Sequence, residues 1–197
     1  ITAGFSETGP QGQVLEKAVL DNARLYGIRL IGPNCLGVMR PSIGLNATFN
    51  KGGANSGNLA FVSQSGALCT AILDWAQSND VGFSSVVSMG SSADVDFGEI
   101  LDYLVSDVQT KSILLYIEGI RNARSFMSAI RAAARIKPVI LVKVGRHAAG
   151  SKAAMSHTAS LVGSDDVFDA AVSRAGVVRV QTITQLFAAA KAMASGF

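Results

Sequence analysis

One pattern constrains the fold more than any other: from residue 59 onward, short apolar runs alternate with amphipathic stretches of helix length. The apolar runs are 59–62, 83–87, 113–117, 139–142 and 177–180, and the helical stretches are 66–77, 97–105, 123–134, 165–174 and 183–194. The runs are continuously apolar, which is typical of parallel strands whose two faces are both covered by helices.

These five βα units predict an α/β fold with an open, doubly wound parallel sheet of the flavodoxin-like type. In such a sheet, ligands bind beyond the carboxyl ends of the strands, so the residues after each strand are the candidate site. The stretch 145–163 is long and irregular, and loops of this length in compact domains are often functional.

The first 58 residues lack this regularity. Residues 1–3 resemble the end of a strand whose beginning is absent, 12–26 predict a helix and 29–31 a short strand. The stretch 37–58 is rich in Gly, Asn and Ser and predicts a connector. We therefore expect an excised fragment with two parts, the tail of one domain at 1–50 and a full flavodoxin-like domain at 51–197.

Composition excludes several classes of protein. The chain is 49% hydrophobic and 16% charged, which excludes disorder, and its two cysteines exclude a disulfide-stapled domain. Its apolar runs are too short to cross a membrane, and a net charge of +3 gives no reason to expect nucleic-acid binding. Two cysteines without an export signal suit the reducing cytosol, so we expect a cytoplasmic protein.

The ends of the first two strands offer candidate anion sites. Ser65 and Gly66 begin a helix, where backbone N–H groups favour an anion, although a simple helix cap explains them equally well. Residues 88–92 allow a second anion site, but a polar turn with Asp96 as helix cap is the preferred interpretation.

Glu118 follows the third strand and His157 lies in the loop after the fourth. A carboxylate at that position can orient an imidazole, and an oriented imidazole is a nucleophile near neutral pH. A solvated acid and a surface histidine remain the plain alternatives for these two residues.

Several catalytic motifs are absent from the sequence. It contains no Walker A sequence, no complete GxGxxG, and no spacing of Cys and His that suits zinc, so we expect no metal site in this chain. The glycine that would precede the serine in a GxSxG elbow is missing, which disfavours a serine hydrolase.

The chain resembles the NDP-forming acyl-CoA synthetases, relatives of the succinyl-CoA synthetase alpha subunit. Four segments carry the resemblance, namely Gly32-Pro33-Asn34-Cys35-Leu36-Gly37, Val62-Ser63-Gln64-Ser65-Gly66-Ala67, Tyr116-Ile117-Glu118-Gly119-Ile120 and Ser156-His157-Thr158. Each is weak by itself, whereas their shared order and spacing are specific. Two positions depart from the family pattern, since Ala159 and Ser91 stand where the family usually has Gly and Asn.

The resemblance implies a role for each site residue. It implies that His157 becomes phosphorylated and that Glu118 steadies it. The implied phosphate-binding residues are Ser65, Gly66 and Ala67, and the implied CoA-binding residues are Ile1, Thr2, Ala3 and Asn34. Residues 1–50 then correspond to the C-terminal part of a CoA-binding domain with its connector.

The resemblance also implies cofactors and partners. CoA or acetyl-CoA, a short-chain carboxylic acid and phosphate would be reactants, and ATP or another NTP with Mg would bind mainly to an ATP-grasp domain outside this chain. An oligomer is expected for the full protein. One alternative is the synthetase-like regulatory region of a GNAT-fused lysine acetyltransferase, and another is an unrelated flavodoxin-like binding domain. An ATP-grasp segment alone after residue 197 would favour the ligase, and an added GNAT domain the acetyltransferase.

Overall fold

The computed structural model describes residues 1–144 and 165–195, which form a seven-stranded sheet with helices on both faces. Strands β1 to β7 span Gly37–Arg40, Leu45–Thr48, Ser56–Ser63, Phe83–Ser88, Ser112–Ile117, Val139–Lys143 and Val178–Val180. Helices α1 to α6 span Pro10–Leu25, Gly66–Gln77, Phe97–Ser106, Ala123–Ala134, Asp165–Arg174 and Ile183–Ala194. The strand order is β2-β1-β4-β3-β5-β6-β7.

The five strands predicted from the apolar runs form a parallel array. Strand β3 lies between β4 and β5, and β6 and β7 continue the array beyond β5. Counted among themselves, the five strands follow the order 2-1-3-4-5 of flavodoxin-like sheets. The predicted fold class is confirmed, and every residue of β4, β5 and β6 is buried, as continuous apolar runs require.

The prediction of an irregular connector at 37–58 is wrong. Strands β1 and β2 form an antiparallel hairpin, and β1 also pairs antiparallel with β4, so the hairpin extends the sheet. The hairpin is not recognisable from its small and polar residues. Its strand β2 is an edge strand that buries none of its residues and therefore needs no apolar run.

Two short strands expected near the N-terminus are also absent. Residues 1–3 contribute a single bridge between Thr2 and Cys35, and 29–31 are not in a strand. The backbone there forms hydrogen bonds with the loop before α3 instead. The carbonyls of Leu30 and Gly32 accept from the N–H groups of Val95 and Ala93 at 3.1 and 2.8 Å.

Two apolar layers cover the sheet, one on each face. The first contains residues of α3, α4 and α5, with Phe126 at 1% exposure near its centre. The second contains residues of α2 and α6, including Ile72 and Leu186. This sandwich fixes the sheet, so the groups at its carboxyl edge project from a rigid frame.

Helices α2 to α6 start where the sequence predicts them, whereas α1 starts at Pro10, two residues before the predicted start, and its N-terminus has no side-chain cap. Ser65 caps α2, Asn122 caps α4, and Asp96 and Thr182 form capping boxes at α3 and α6. Within the described part of the chain, no helix has the length and apolar character that crossing a bilayer requires.

Candidate active site at the switch point of the sheet

The topological switch point of the parallel array lies between β3 and β5. The first crossover from β3 leads to β4 on one side, and the chain then returns to β5 on the other. Ser63 and Tyr116 are the last paired residues of these two strands. The crevice beyond them is where open α/β sheets bind ligands.

A cavity of about 350 Å³ opens at this crevice and gathers most of the predicted site. Its lining residues are Thr2, Ala3, Asn34, Cys35, Leu36, Phe49, Gln64, Ser65, Gly66, Ala67 and Glu118. Seven of the nine site residues predicted from the sequence are therefore neighbours around one space, although they come from four separate segments.

The start of α2 presents backbone donors to the cavity. Ser65 Oγ accepts from the N–H of Leu68 at 3.3 Å, and Ser63 Oγ accepts from the N–H of Ser65 at 3.0 Å. The N–H groups of Gly66 and Ala67 have no acceptor within residues 1–144 and 165–195. Ser65 is thus a helix cap, as one interpretation held, and two donors at the positive end of the helix remain available to an anion.

Packing does not explain why residue 66 is glycine. A Cβ atom there would lie 3.6 Å from Cβ of Leu36 and 3.9 Å from Oγ of Ser88, which is ordinary contact. The absence of a side chain instead keeps the approach to the helix start open.

Glu118 reaches the cavity from the end of β5 and is half-buried. Burial raises the pKa of the neighbouring Tyr116, and the negative charge of Glu118 raises it further. The tyrosine therefore stays neutral beside the carboxylate. The carboxylate follows β5 and the start of α2 follows β3, so they come from the two strands that flank the switch point.

The segment before β1 and the residue after β2 complete the wall. Cys35 donates its N–H to the carbonyl of Thr2 at 3.3 Å, and Leu36 donates to Ser88 Oγ at 2.9 Å. Phe49 donates its N–H to the carbonyl of Leu36 at 3.1 Å and keeps an exposed ring. Burial raises the pKa of Cys35, which keeps it a thiol.

No individual role is predicted from the sequence for Gln64, Leu36, Cys35 or Phe49, although the first three lie within segments that carry the resemblance. Membership of a motif does not show which of its side chains line a cavity. Ile1, by contrast, lies away from the cavity and lines a separate hollow of about 150 Å³ with Phe5 and Leu30.

The second anion site considered at 88–92 is wrong. The N–H groups of Ser91 and Ser92 already donate to the carbonyls of Pro33 and Met89, at 2.8 and 3.1 Å. These N–H groups are therefore bonded to backbone carbonyls and are not available to bind an anion. The alternative is confirmed, because Asp96 Oδ1 accepts from the N–H of Gly98 at 2.8 Å.

His157 lies outside the described residues, so its role stays a prediction. Within residues 1–144 and 165–195, no cluster of three or more His, Cys, Asp or Glu could hold a metal ion. The site that the structure describes combines backbone donors, one carboxylate and a wall of mixed polar and apolar residues.

Residues 56–193 match the family described as "Succinyl-CoA ligase like flavodoxin domain". The chain belongs to this family. Among solved structures, the acetyl-coenzyme A synthetase 1 of Ca. Korarchaeum cryptofilum, described as dinucleotide forming and in complex with phosphate and ADP, is 37% identical with a TM-score of 0.92. The match covers 98% of this chain and 42% of that one.

Two relatives of similar sequence are ADP-forming acetate–CoA ligases or a subunit of one. The acetate–CoA ligase (ADP-forming) I of Archaeoglobus fulgidus is 44% identical over 187 residues, 95% of this chain and 27% of that protein. Subunit alpha of the acetate–CoA ligase (ADP-forming) II of Pyrococcus furiosus is 45% identical over 192 residues, 98% of this chain and 42% of that protein. The succinyl-CoA ligase-like chain thus spans between about a quarter and two fifths of these relatives.

Proposed function

We propose that the chain is part of an NDP-forming acid–CoA ligase of the acetate–CoA ligase type. His157 takes the phosphoryl group from an acyl phosphate and passes it to NDP. Glu118 orients the imidazole, and the N–H groups of Gly66 and Ala67 hold the phosphoryl group. The observation that supports this most directly is that both N–H groups and the Glu118 carboxylate line one cavity at the switch point.

The chemistry requires both kinds of group. An imidazole attacks phosphorus through a neutral nitrogen, and a carboxylate that accepts a hydrogen bond from the other nitrogen favours the correct tautomer. As the N–P bond forms, the bond from phosphorus to the acyl oxygen breaks and a carboxylate leaves. The phosphorylated imidazole carries about two negative charges, which a helix N-terminus stabilises. Transfer to NDP restores the imidazole.

The rest of the wall suits the other reactants. Thr2, Ala3 and Asn34 would contact CoA at its acyl end, while the exposed ring of Phe49 offers apolar surface to a short acyl group. A cavity of about 350 Å³ has room for a phosphate and such a group. An ATP-grasp domain or subunit would supply the nucleotide and Mg. No observation favours the acetyltransferase alternative.

The test uses the full-length protein and γ-labelled ATP with Mg, and separately acetyl-CoA with labelled phosphate. We expect an acid-labile protein label that His157→Ala abolishes. His147→Ala is the matched control, because it removes the other histidine of the chain and should leave the label intact. An unlabelled wild-type protein, or a label that survives His157→Ala, would contradict the proposal.

A second variant tests the carboxylate. Glu118→Gln keeps the shape of the side chain and removes its charge, so phosphorylation in a single turnover should slow about 100-fold without loss of the fold. Asp102→Asn, at an exposed position on α3, should leave the rate unchanged. An unaltered rate in Glu118→Gln would remove Glu118 from the mechanism.

A further inference from the structure

Gln64 lies directly between the two functional halves of the proposed site. It follows β3, precedes the Ser65 cap of α2, and is only 9% exposed. Its own N–H donates to the carbonyl of Tyr116 at 3.2 Å, one step beyond the last paired residues of β3 and β5. The side chain therefore begins where the two strands separate.

The amide group of Gln64 spans this separation. Its Oε1 accepts from the N–H of Glu118 at 2.7 Å and from the N–H of Gly119 at 3.0 Å. Its Nε2 donates to the carbonyl of Gly119 at 2.9 Å. Three hydrogen bonds thus fix the backbone from which the Glu118 side chain projects.

Few side chains can make this set of bonds. The position needs an acceptor for two N–H groups and a donor for one carbonyl, at the reach of a three-carbon side chain. A thioether is only a weak acceptor and cannot donate, and an ionised carboxylate cannot donate either. Buried backbone groups that lose their hydrogen-bond partner are destabilising, so without the amide the turn at 118–119 would move to find other partners.

We infer that Gln64 is a positioning residue for Glu118 in the proposed phosphoryl transfer. It fixes the carboxylate relative to the start of α2, and it does so from the residue adjacent to the helix cap. The inference rests on the proposed function, in which Glu118 orients the phosphorylated histidine. It extends that function to a residue that touches no reacting atom.

The first experiment uses Gln64→Glu in the full-length protein. A protonated carboxyl group accepts from the two N–H groups and donates to the Gly119 carbonyl, whereas the ionised form cannot donate and adds a charge near Glu118. The phosphorylation rate of Gln64→Glu should therefore approach that of wild type at low pH. It should fall about 10- to 100-fold below wild type as the pH rises and the new carboxyl group ionises.

The surroundings of residue 64 define the controls for this pH profile. Within the described residues, the titratable groups near it are Tyr116 on β5, Glu118 directly after that strand and Cys35 on the same cavity wall, with Asp96 and Arg121 around a small hollow on its other side. All five are present in wild type and in Gln77→Glu, an exposed position at the end of α2. Neither protein should show the additional loss at high pH, and a profile of Gln64→Glu that parallels theirs would overturn the inference.

A double variant separates positioning from a general structural role. Gln64→Met should lower the phosphorylation rate with little change in KM for CoA. The combination of Gln64→Met with Glu118→Gln should be no slower than Glu118→Gln alone, within about threefold, because both changes disable the same group. Multiplied losses would refute the inference, and thermal unfolding of each variant checks that the protein is folded.

The outcomes distinguish this inference from the proposed function. If Glu118→Gln slows phosphorylation while both Gln64 variants match wild type, Gln64 has no positioning role and the proposed function stands. If Glu118→Gln leaves the rate unchanged, the role of the carboxylate fails and the inference fails with it. The pH profile of Gln64→Glu remains decisive even if Gln64→Met does not fold.

Discussion

The ion pair between Arg40 and Asp107 anchors the β1–β2 hairpin to the body of the domain. Asp107 ends α3 and accepts from the two terminal nitrogens of Arg40 at 2.8 and 3.1 Å, and from Thr110 Oγ1 at 2.7 Å. The hairpin lies between Leu36 and Phe49, which both line the cavity. Replacing Asp107 with Asn keeps the size of the side chain and removes the charge, so it should loosen this wall.

The size of the effect follows from the pKa of Asp107. Hydrogen bonds from Arg40, and to a smaller extent from Thr110 and Gln109, lower this pKa from 3.8 to about 2. A difference of nearly two pH units corresponds to roughly 2 kcal/mol of stability at neutral pH. The Arg40 side chain is still 20% exposed, so solvent screening reduces the contribution to about 1–2 kcal/mol.

The sign of the pH dependence is fixed because the pKa is lowered in the folded state. The contribution is complete above the unfolded pKa near 3.8 and is lost as the pH falls toward 2, with about half of it gone by pH 3. Urea unfolding of wild type and Asp107→Asn at pH 7, 5, 4 and 3 measures it. The stability difference should shrink below pH 4, and Asp102→Asn should show no such trend.

A stability difference that stays constant down to pH 3 would refute this account of Asp107. So would a difference that increases as the pH falls, since that would require a raised pKa in the folded state. A constant difference would mean that Arg40 contributes through packing rather than through its charge, and an increasing one that burial of the carboxylate outweighs the ion pair.

Three further predictions concern packing and reactivity. In Gly90→Ala, the new Cβ would lie 2.2–2.3 Å from two carbonyl oxygens at a φ of +52°. The free energy of unfolding should therefore fall by about 2–4 kcal/mol. The control is Gly53→Ala, where no atom lies within 4 Å of the new Cβ, and equal stability of the two variants would contradict the prediction. Phe126→Ala should cost about 3–5 kcal/mol because Phe126 is 1% exposed between two other aromatic rings, and a loss below 1 kcal/mol would argue against this packing. Burial raises the pKa of Cys69 to about 12, so thiol reagents should modify it only after unfolding, and rapid modification of the folded protein would disprove its burial.

The sequence predicts the parallel part of this fold well, for identifiable reasons. Helices α2, α4 and α6 match the predicted bounds because polar caps and amphipathic periodicity both mark them, and α5 matches from its amphipathic periodicity. The strands are evident because burial on two faces requires continuous apolar runs. The β1–β2 hairpin had neither signal, since its position depends on β4, a strand far along the chain.

Residues of the candidate site can be predicted where polar side chains directly follow a strand. Ser65 and Glu118 are identifiable because they follow apolar runs that end at the same edge of the sheet. Gln64 is not identifiable in this way, because its role depends on the direction of an amide that contacts residues far along the chain. Ile1 shows the converse, since it shares the second hollow with Thr2 but does not reach the cavity at the switch point.

The pairing of β1 with β4 has a consequence for the order in which the chain assembles. The hairpin can close by itself soon after synthesis, because its two strands are adjacent in sequence. It cannot dock until β4 exists, and β4 cannot be placed until α2 has crossed over from β3. Glu118 emerges later still, so a nascent chain that ends before it holds the hairpin and the start of α2 without a finished cavity.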